Sequence, residues 1–125
     1  MANLRHFRLW QAFGGALCLL VVYFSLTPSP PDLGFDQSDK LGHLAAYAGL
    51  MWWFAQLYPT LRSRLIWAAA FVALGVGLEF AQRATGYRTF ELADMAADAA
   101  GVLLGWLAAP PRLPNLLAWL ESHLP

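Results

Sequence analysis

Long apolar runs dominate this chain, and each is ended by proline, glycine or a group of charged residues. Four of the runs approach the roughly 20 residues that a helix needs to cross the hydrocarbon core of a bilayer. A fifth, shorter run has leucines at helical spacing beside Trp119, which is typical of an amphipathic helix lying in a membrane interface. The predicted helices span about 9–27, 40–58, 65–83, 91–109 and 113–124.

The first run begins with Arg5 and Arg8, and a basic start before an apolar run is also typical of a signal peptide. No small-x-small cleavage pattern follows, and the run is longer than the apolar centre of most signal peptides. We therefore expect an uncleaved transmembrane helix. It should end at Thr27, because the prolines that follow cannot continue the helical hydrogen bonds.

Composition agrees with a single domain, residues 1–125, embedded in a bilayer. Hydrophobic residues make up 58% of the chain, and charged residues only 13%, about half the share found in soluble domains. The formal net charge is zero, which gives no basic surface for nucleic acid. Cys18 is the only cysteine, so neither an intramolecular disulfide nor a thiolate metal cluster can form.

Basic residues predict the orientation of a four-helix bundle. Five fall on the side of the two termini and three on the other side, which favours both termini in the cytoplasm. The first group is Arg5, Arg8, Arg62, Arg64 and Arg112, and the second is Lys40, Arg83 and Arg88.

The second predicted helix begins with polar residues, although the rest of it is apolar. Asp39, His43 and Tyr47 are spaced four apart, so they stack on one helix face, and Lys40 lies beside them. Ser38 or Asp39 is placed to cap the N-terminus of this helix.

The third and fourth predicted helices carry polar residues at a similar depth. Glu79 and Gln82 share a face near the end of the third helix, and Asp94 and Asp98 share a face near the start of the fourth. A lone charge near the centre of a bilayer costs about 2.5–3.5 kcal/mol on insertion scales, so these groups should face each other, water or a ligand. The predicted pocket, in the outer half of the bilayer, is lined by Asp39, Lys40, His43, Tyr47, Glu79, Gln82, Arg88, Asp94 and Asp98.

Small residues predict where helices approach closely. Gly42, Ala46 and Gly49 form a strip on the second helix, while Gly101 and Gly105 continue the acidic stripe of the fourth.

Several chemistries suit the predicted pocket. His43, Glu79 and Asp94 are candidate acid–base catalysts, with Lys40 and Arg88 holding an anionic head group of a lipid-linked or lipidated substrate. Asp39, Tyr47, Gln82 and Asp98 complete the candidate binding set.

Other interpretations of the same residues stay open. His43, Glu79, Asp94 and Asp98 could hold a divalent cation through nitrogen and oxygen ligands, although their spacing forms no sharp motif. The pocket could also bind a membrane lipid without any reaction, or form an ion or proton pathway. In a purely structural role, His43 would hold two helices together through a hydrogen bond, and Lys40 would extend its charge toward the membrane interface.

Five motifs follow one another along the chain: Ser25-Leu26-Thr27-Pro28, Asp39-Lys40-x-x-His43-x-x-x-Tyr47, Glu79-x-x-Gln82, Arg88-x-Phe90-Glu91-x-x-Asp94 and Gly101-x-x-x-Gly105. Taken together and in this order, they resemble the VanZ-like family, over about residues 10–109.

The resemblance implies a small integral protein of the bacterial cytoplasmic membrane with a function in the cell envelope. The protein that gives the family its name is associated with resistance to teicoplanin. The resemblance does not imply that this chain confers resistance. Asp98 departs from the family pattern, which commonly has asparagine there, and makes the predicted pocket more acidic.

Overall fold

The computed structural model of the chain describes residues 4–27, 38–86 and 92–125. Within these residues the protein is all-α, with five helices and no strand. This confirms the predicted helix order, and the ends of the four long helices lie within a few residues of the predicted ones. The helices are α1 (Phe7–Leu26), α2 (Ser38–Leu57), α3 (Leu61–Thr85), α4 (Leu92–Ala108) and α5 (Leu116–Glu121).

The largest difference from the prediction is the start of α3. The helix begins at Leu61 rather than near residue 65. The hydroxyl of Thr60 accepts a hydrogen bond from the backbone N–H of Ser63 and caps the N-terminus of the helix. Arg62 and Arg64 therefore lie in the first helical turn. Arg64 turns inward and donates to the carbonyl oxygen of Ala55 at the end of α2 (2.9 Å).

The most extensive helix contact joins α2 and α4. A Cβ atom at Gly101 would collide with the backbone of Leu44, and one at Gly105 with the backbone of Ala48. These two glycines let the helix backbones touch, as predicted for α4. The prediction that Gly49 on α2 also allows a close helix approach is wrong, because a Cβ atom there would meet no described atom within 4 Å.

An apolar core fills the middle of the bundle. It contains Tyr47, Leu50 and Phe54 from α2, Phe71 from α3 and Val102 from α4, all buried. A second cluster joins α1, α2 and α5 at one end of the bundle.

Both described ends of the chain meet at that same end. The backbone N–H of Arg5 donates to the carboxylate of Glu121 (2.7 Å), so the start of α1 lies against the end of α5. At the opposite end, the side-chain amide of Gln82 donates to the carbonyl oxygen of Ser25, where α1 finishes (2.7 Å). The long helices therefore run antiparallel between two distinct ends.

Apolar side chains cover much of the surface, while several charged ones are buried. Glu79 and Asp98 are only 1% and 2% exposed, whereas Leu19, Phe80 and Leu103 are 72%, 52% and 57% exposed. This reverses the usual arrangement of a water-soluble domain.

Two of the described helices, α1 and α3, are long and apolar enough to cross a membrane by length and composition. Little of either helix is buried within the fold, so the apolar surface of each faces outward. The predicted crossings by α2 and α4 do not meet this criterion, since α4 has only 17 residues and α2 carries polar side chains near both ends.

Candidate functional site

The candidate site is centred on a contact between the imidazole of His43 on α2 and the carboxylate of Asp98 on α4. Nδ1 of His43 lies 2.7 Å from Oδ1 of Asp98. A carboxylate can only accept, so Nδ1 carries the proton in this hydrogen bond and Nε2 keeps its lone pair when the ring is neutral. Close packing at Gly101 brings the two helices near enough for this short contact.

Asp94 lies on the other side of the same imidazole. Its Oδ2 atom is 3.8 Å from Nε2 of His43, beyond hydrogen-bond distance, and its Oδ1 atom is 3.5 Å from the ammonium group of Lys40. Lys40 on α2 and Asp94 on α4 therefore form an ion pair. Lys40 is the more exposed partner, with 27% of its side chain accessible against 8% for Asp94.

Helix α3 closes the third side of the site. A Cβ atom at Gly75 would lie 2.6 Å from Oδ2 of Asp98, so the missing side chain makes room for that carboxylate. One turn further along α3, Glu79 is 1% exposed and close enough to interact electrostatically with both His43 and Tyr47. Tyr47, one turn below His43, is buried in the wall of the site.

The structure therefore brings together six of the nine predicted site residues, which are Lys40, His43, Tyr47, Glu79, Asp94 and Asp98. Gln82 is also buried, but its amide is used to hold the end of α1. The side chain of Asp39 and the whole of Arg88 lie outside the described residues.

The metal hypothesis finds no support in the described part of the chain, where no group of three or more His, Cys, Asp or Glu side chains is arranged to hold an ion. Asp98 and Asp94 approach opposite nitrogens of His43 rather than converging on one point.

The arrangement suits proton transfer at Nε2 of His43. Asp98 fixes the orientation of the ring through Nδ1, and both aspartates stabilise the imidazolium that forms when Nε2 takes a proton. The same nitrogen can return the proton to a leaving group. Among the described site residues there is one lysine against three carboxylates, so the formal charge is negative.

A second polar network, which the sequence pattern did not predict, lies at the opposite end of the bundle. The carboxylate of Glu121 accepts the backbone N–H groups of Arg5 and His6 and the indole N–H of Trp10, each at 2.7 Å. Burial by itself raises the pKa of Glu121, but the hydrogen bonds from His6, Trp10 and Arg5 outweigh it and hold the pKa below the ordinary value of 4.5.

Gln56 lies at the same end, and the sequence pattern did not predict its contact with α5 either. Its side chain is fully buried, and its Oε1 atom accepts the N–H groups of Leu116 and Leu117 at the start of α5 (2.7 and 3.2 Å). A lone glutamine near the end of an apolar run was the only sequence signal, and its partner lies 60 residues away.

The chain matches no family model, and comparison with curated proteins and with solved structures gives no significant match. The resemblance to the VanZ-like family therefore stays a prediction that rests on the motifs alone.

Proposed function

We propose that this chain is a multi-pass membrane protein of the bacterial cell envelope, VanZ-like in character. In this proposal α1 to α4 all cross the bilayer, α2 and α4 cross as a closely packed pair, and α1 and α3 pack beside them. The outward-facing apolar surface of α1 and α3 and the burial of Glu79 and Asp98 support this arrangement. An even number of crossings agrees with the contact between Arg5 and Glu121, and the arginine distribution favours both termini in the cytoplasm.

Within this arrangement we propose that His43 is a general acid–base catalyst acting on the polar part of a membrane amphiphile. The observation that carries the proposal is the 2.7 Å contact between Nδ1 of His43 and Asp98, which leaves Nε2 available. Lys40 is the partly exposed cation at the same site and is placed to hold an acidic group of the substrate. A lipid-linked or lipidated molecule would reach the site from the outer leaflet.

A pathway through the protein is less well supported than a site open on one side. Directly below Tyr47, the rings of Phe54, Trp67 and Phe71 pack against one another with centroids 4.4–5.7 Å apart. These rings lie in and around the apolar core, where no water-lined path is expected. We therefore favour acid–base chemistry over ion conduction.

The test uses purified protein in vesicles of bacterial lipid extract, followed by mass spectrometry of the lipids over time. The wild-type protein should convert at least one lipid species. His43→Gln should slow this conversion about 100-fold or more, the usual contribution of a general acid–base group. The matched control is His123→Gln, the same change at an exposed histidine at the other end, which should keep the wild-type rate.

The alternative function is non-catalytic binding of a lipid or lipidated molecule, with the polar cluster as the recognition site. It predicts no conversion by the wild-type protein. Instead, a lipid species should co-purify with wild type and with His43→Gln but be lost from Lys40→Glu, which reverses the charge beside Asp94. Conversion that survives in His43→Gln would contradict the catalytic proposal.

A further inference from the structure

Besides Arg5, three exposed arginines surround the end of the bundle where the described chain starts and finishes. Arg8 lies in the first turn of α1, Arg62 in the first turn of α3, and Arg112 in the turn between α4 and α5. These positions share one end because α1 and α3 begin there and α4 finishes there.

No exposed acidic side chain balances these arginines within the described part of this end. Glu121 is the single Asp or Glu there, and its carboxylate is buried and accepts two backbone N–H groups from the start of α1. The guanidinium of Arg5 is also engaged, since it donates to the carbonyl oxygen of Glu121 (2.6 Å). The network at Glu121 therefore leaves arginines as the charged side chains exposed at the described part of this end.

Exposed apolar side chains lie beside the arginines in sequence. Leu61 precedes Arg62 and is 68% exposed, and Leu113 follows Arg112 and is 51% exposed. Trp119 on α5 is 56% exposed. Arginine, leucine and tryptophan on one surface are typical of a segment that lies among lipid head groups, where tryptophan sits at the boundary and arginine reaches the phosphates.

We propose that this arginine face, formed by Arg8, Arg62 and Arg112, binds the head groups of anionic phospholipids. Arginine suits a phosphate diester because its guanidinium offers paired N–H donors. The interleaved apolar side chains favour a lipid over a nucleic acid or an acidic protein, which would leave Leu61 and Trp119 in water. The face lies at the opposite end from His43, so it is a second site and not part of the acid–base cluster.

Native mass spectrometry of the detergent-purified protein tests this proposal with two added lipids. Phosphatidylglycerol and phosphatidylcholine of identical acyl chains are titrated separately, and wild type should bind the phosphatidylglycerol more tightly. Each of Arg8→Gln, Arg62→Gln and Arg112→Gln should reduce that preference about fivefold, the ratio that corresponds to about 1 kcal/mol per basic residue at an anionic surface. The preference should also weaken in high salt, because these groups are exposed.

The matched control is Arg83→Gln, the same substitution at an exposed arginine at the other end of α3, which should leave the preference unchanged. Single variants are used so that each protein keeps its fold, checked by helicity and thermal unfolding. Equal binding of both lipids by wild type overturns the proposal. So does an equal loss in Arg83→Gln, or tighter binding of a single-stranded oligonucleotide than of phosphatidylglycerol.

Discussion

At the scale of single residues, the most consequential feature is the carboxylate of Asp98, which is removed from water when the chain folds. Asp98 is 2% exposed, and its short contact with His43 is what makes that burial tolerable. Removing one partner of a buried pair commonly costs about 3–5 kcal/mol, because the other partner stays buried without compensation. The pair therefore holds α2 against α4 whether or not His43 also transfers protons.

We expect His43→Leu to lower the free energy of unfolding by about 3–5 kcal/mol. Adding Asp98→Asn in the same chain should recover part of the loss, because a neutral amide is less costly to bury than a carboxylate. The double-mutant cycle, measured by denaturant unfolding in detergent, should give a coupling of about 1–3 kcal/mol. Additive effects of the two changes would show that the contact does not stabilise the fold.

Glu121 provides a pH-dependent contact at the other end. Its pKa in the folded protein is below the ordinary 4.5, so its stabilisation is fully present above pH 4.5 and is lost as the pH falls through the folded value. A spin label at Leu124→Cys, in a Cys18→Ser background, should be immobile at neutral pH and mobile in acid. With Glu121→Gln added, the label should show no transition in this pH range. A transition that persisted in Glu121→Gln would assign it to another group.

At the scale of elements, the glycines of α4 decide how closely it packs on α2. Gly105→Ala should lower the free energy of unfolding by about 1–3 kcal/mol, because the added methyl group meets the backbone of Ala48 and the helices must separate. Gly49→Ala on α2 is the matched control and should be neutral or stabilising by up to about 1 kcal/mol, since its Cβ meets nothing. Equal losses in the two variants would contradict this packing.

Helix positions were predictable because apolar runs and prolines mark them locally, as with the end of α1 near Thr27. The polar face of Asp94 and Asp98 was predictable from helical spacing, and so was its approach to His43, since burying unpaired charge is costly. Contacts between residues far apart in sequence were not. Nothing near Glu121 or Gln56 indicates that each would accept N–H groups from another helix.

At the scale of the whole molecule, the distribution of polarity supports the proposal that an apolar medium surrounds the bundle. Leu19 on α1 and Ile66 on α3 are 72% and 58% exposed, while Glu79 is buried within the bundle. Monomeric soluble proteins rarely expose large contiguous apolar patches. The two ends of the bundle also differ in charge, because most of the exposed arginines among the described residues lie at the α5 end and the aspartates of the site lie at the other.

This asymmetry predicts which end faces the cytoplasm. Single cysteines replace Arg62 and Arg83, at opposite ends of α3, in a Cys18→Ser background. In intact bacteria a membrane-impermeant maleimide should label Arg83→Cys and leave Arg62→Cys unmodified until the membrane is permeabilised, because arginine-rich ends are retained inside. Labelling of Arg62→Cys alone would reverse the orientation and place the His43 site toward the cytoplasm. Labelling of both from outside would contradict the proposal that α3 crosses the membrane. Glu79, His43 and Asp98 would then have no need to face one another within a bilayer.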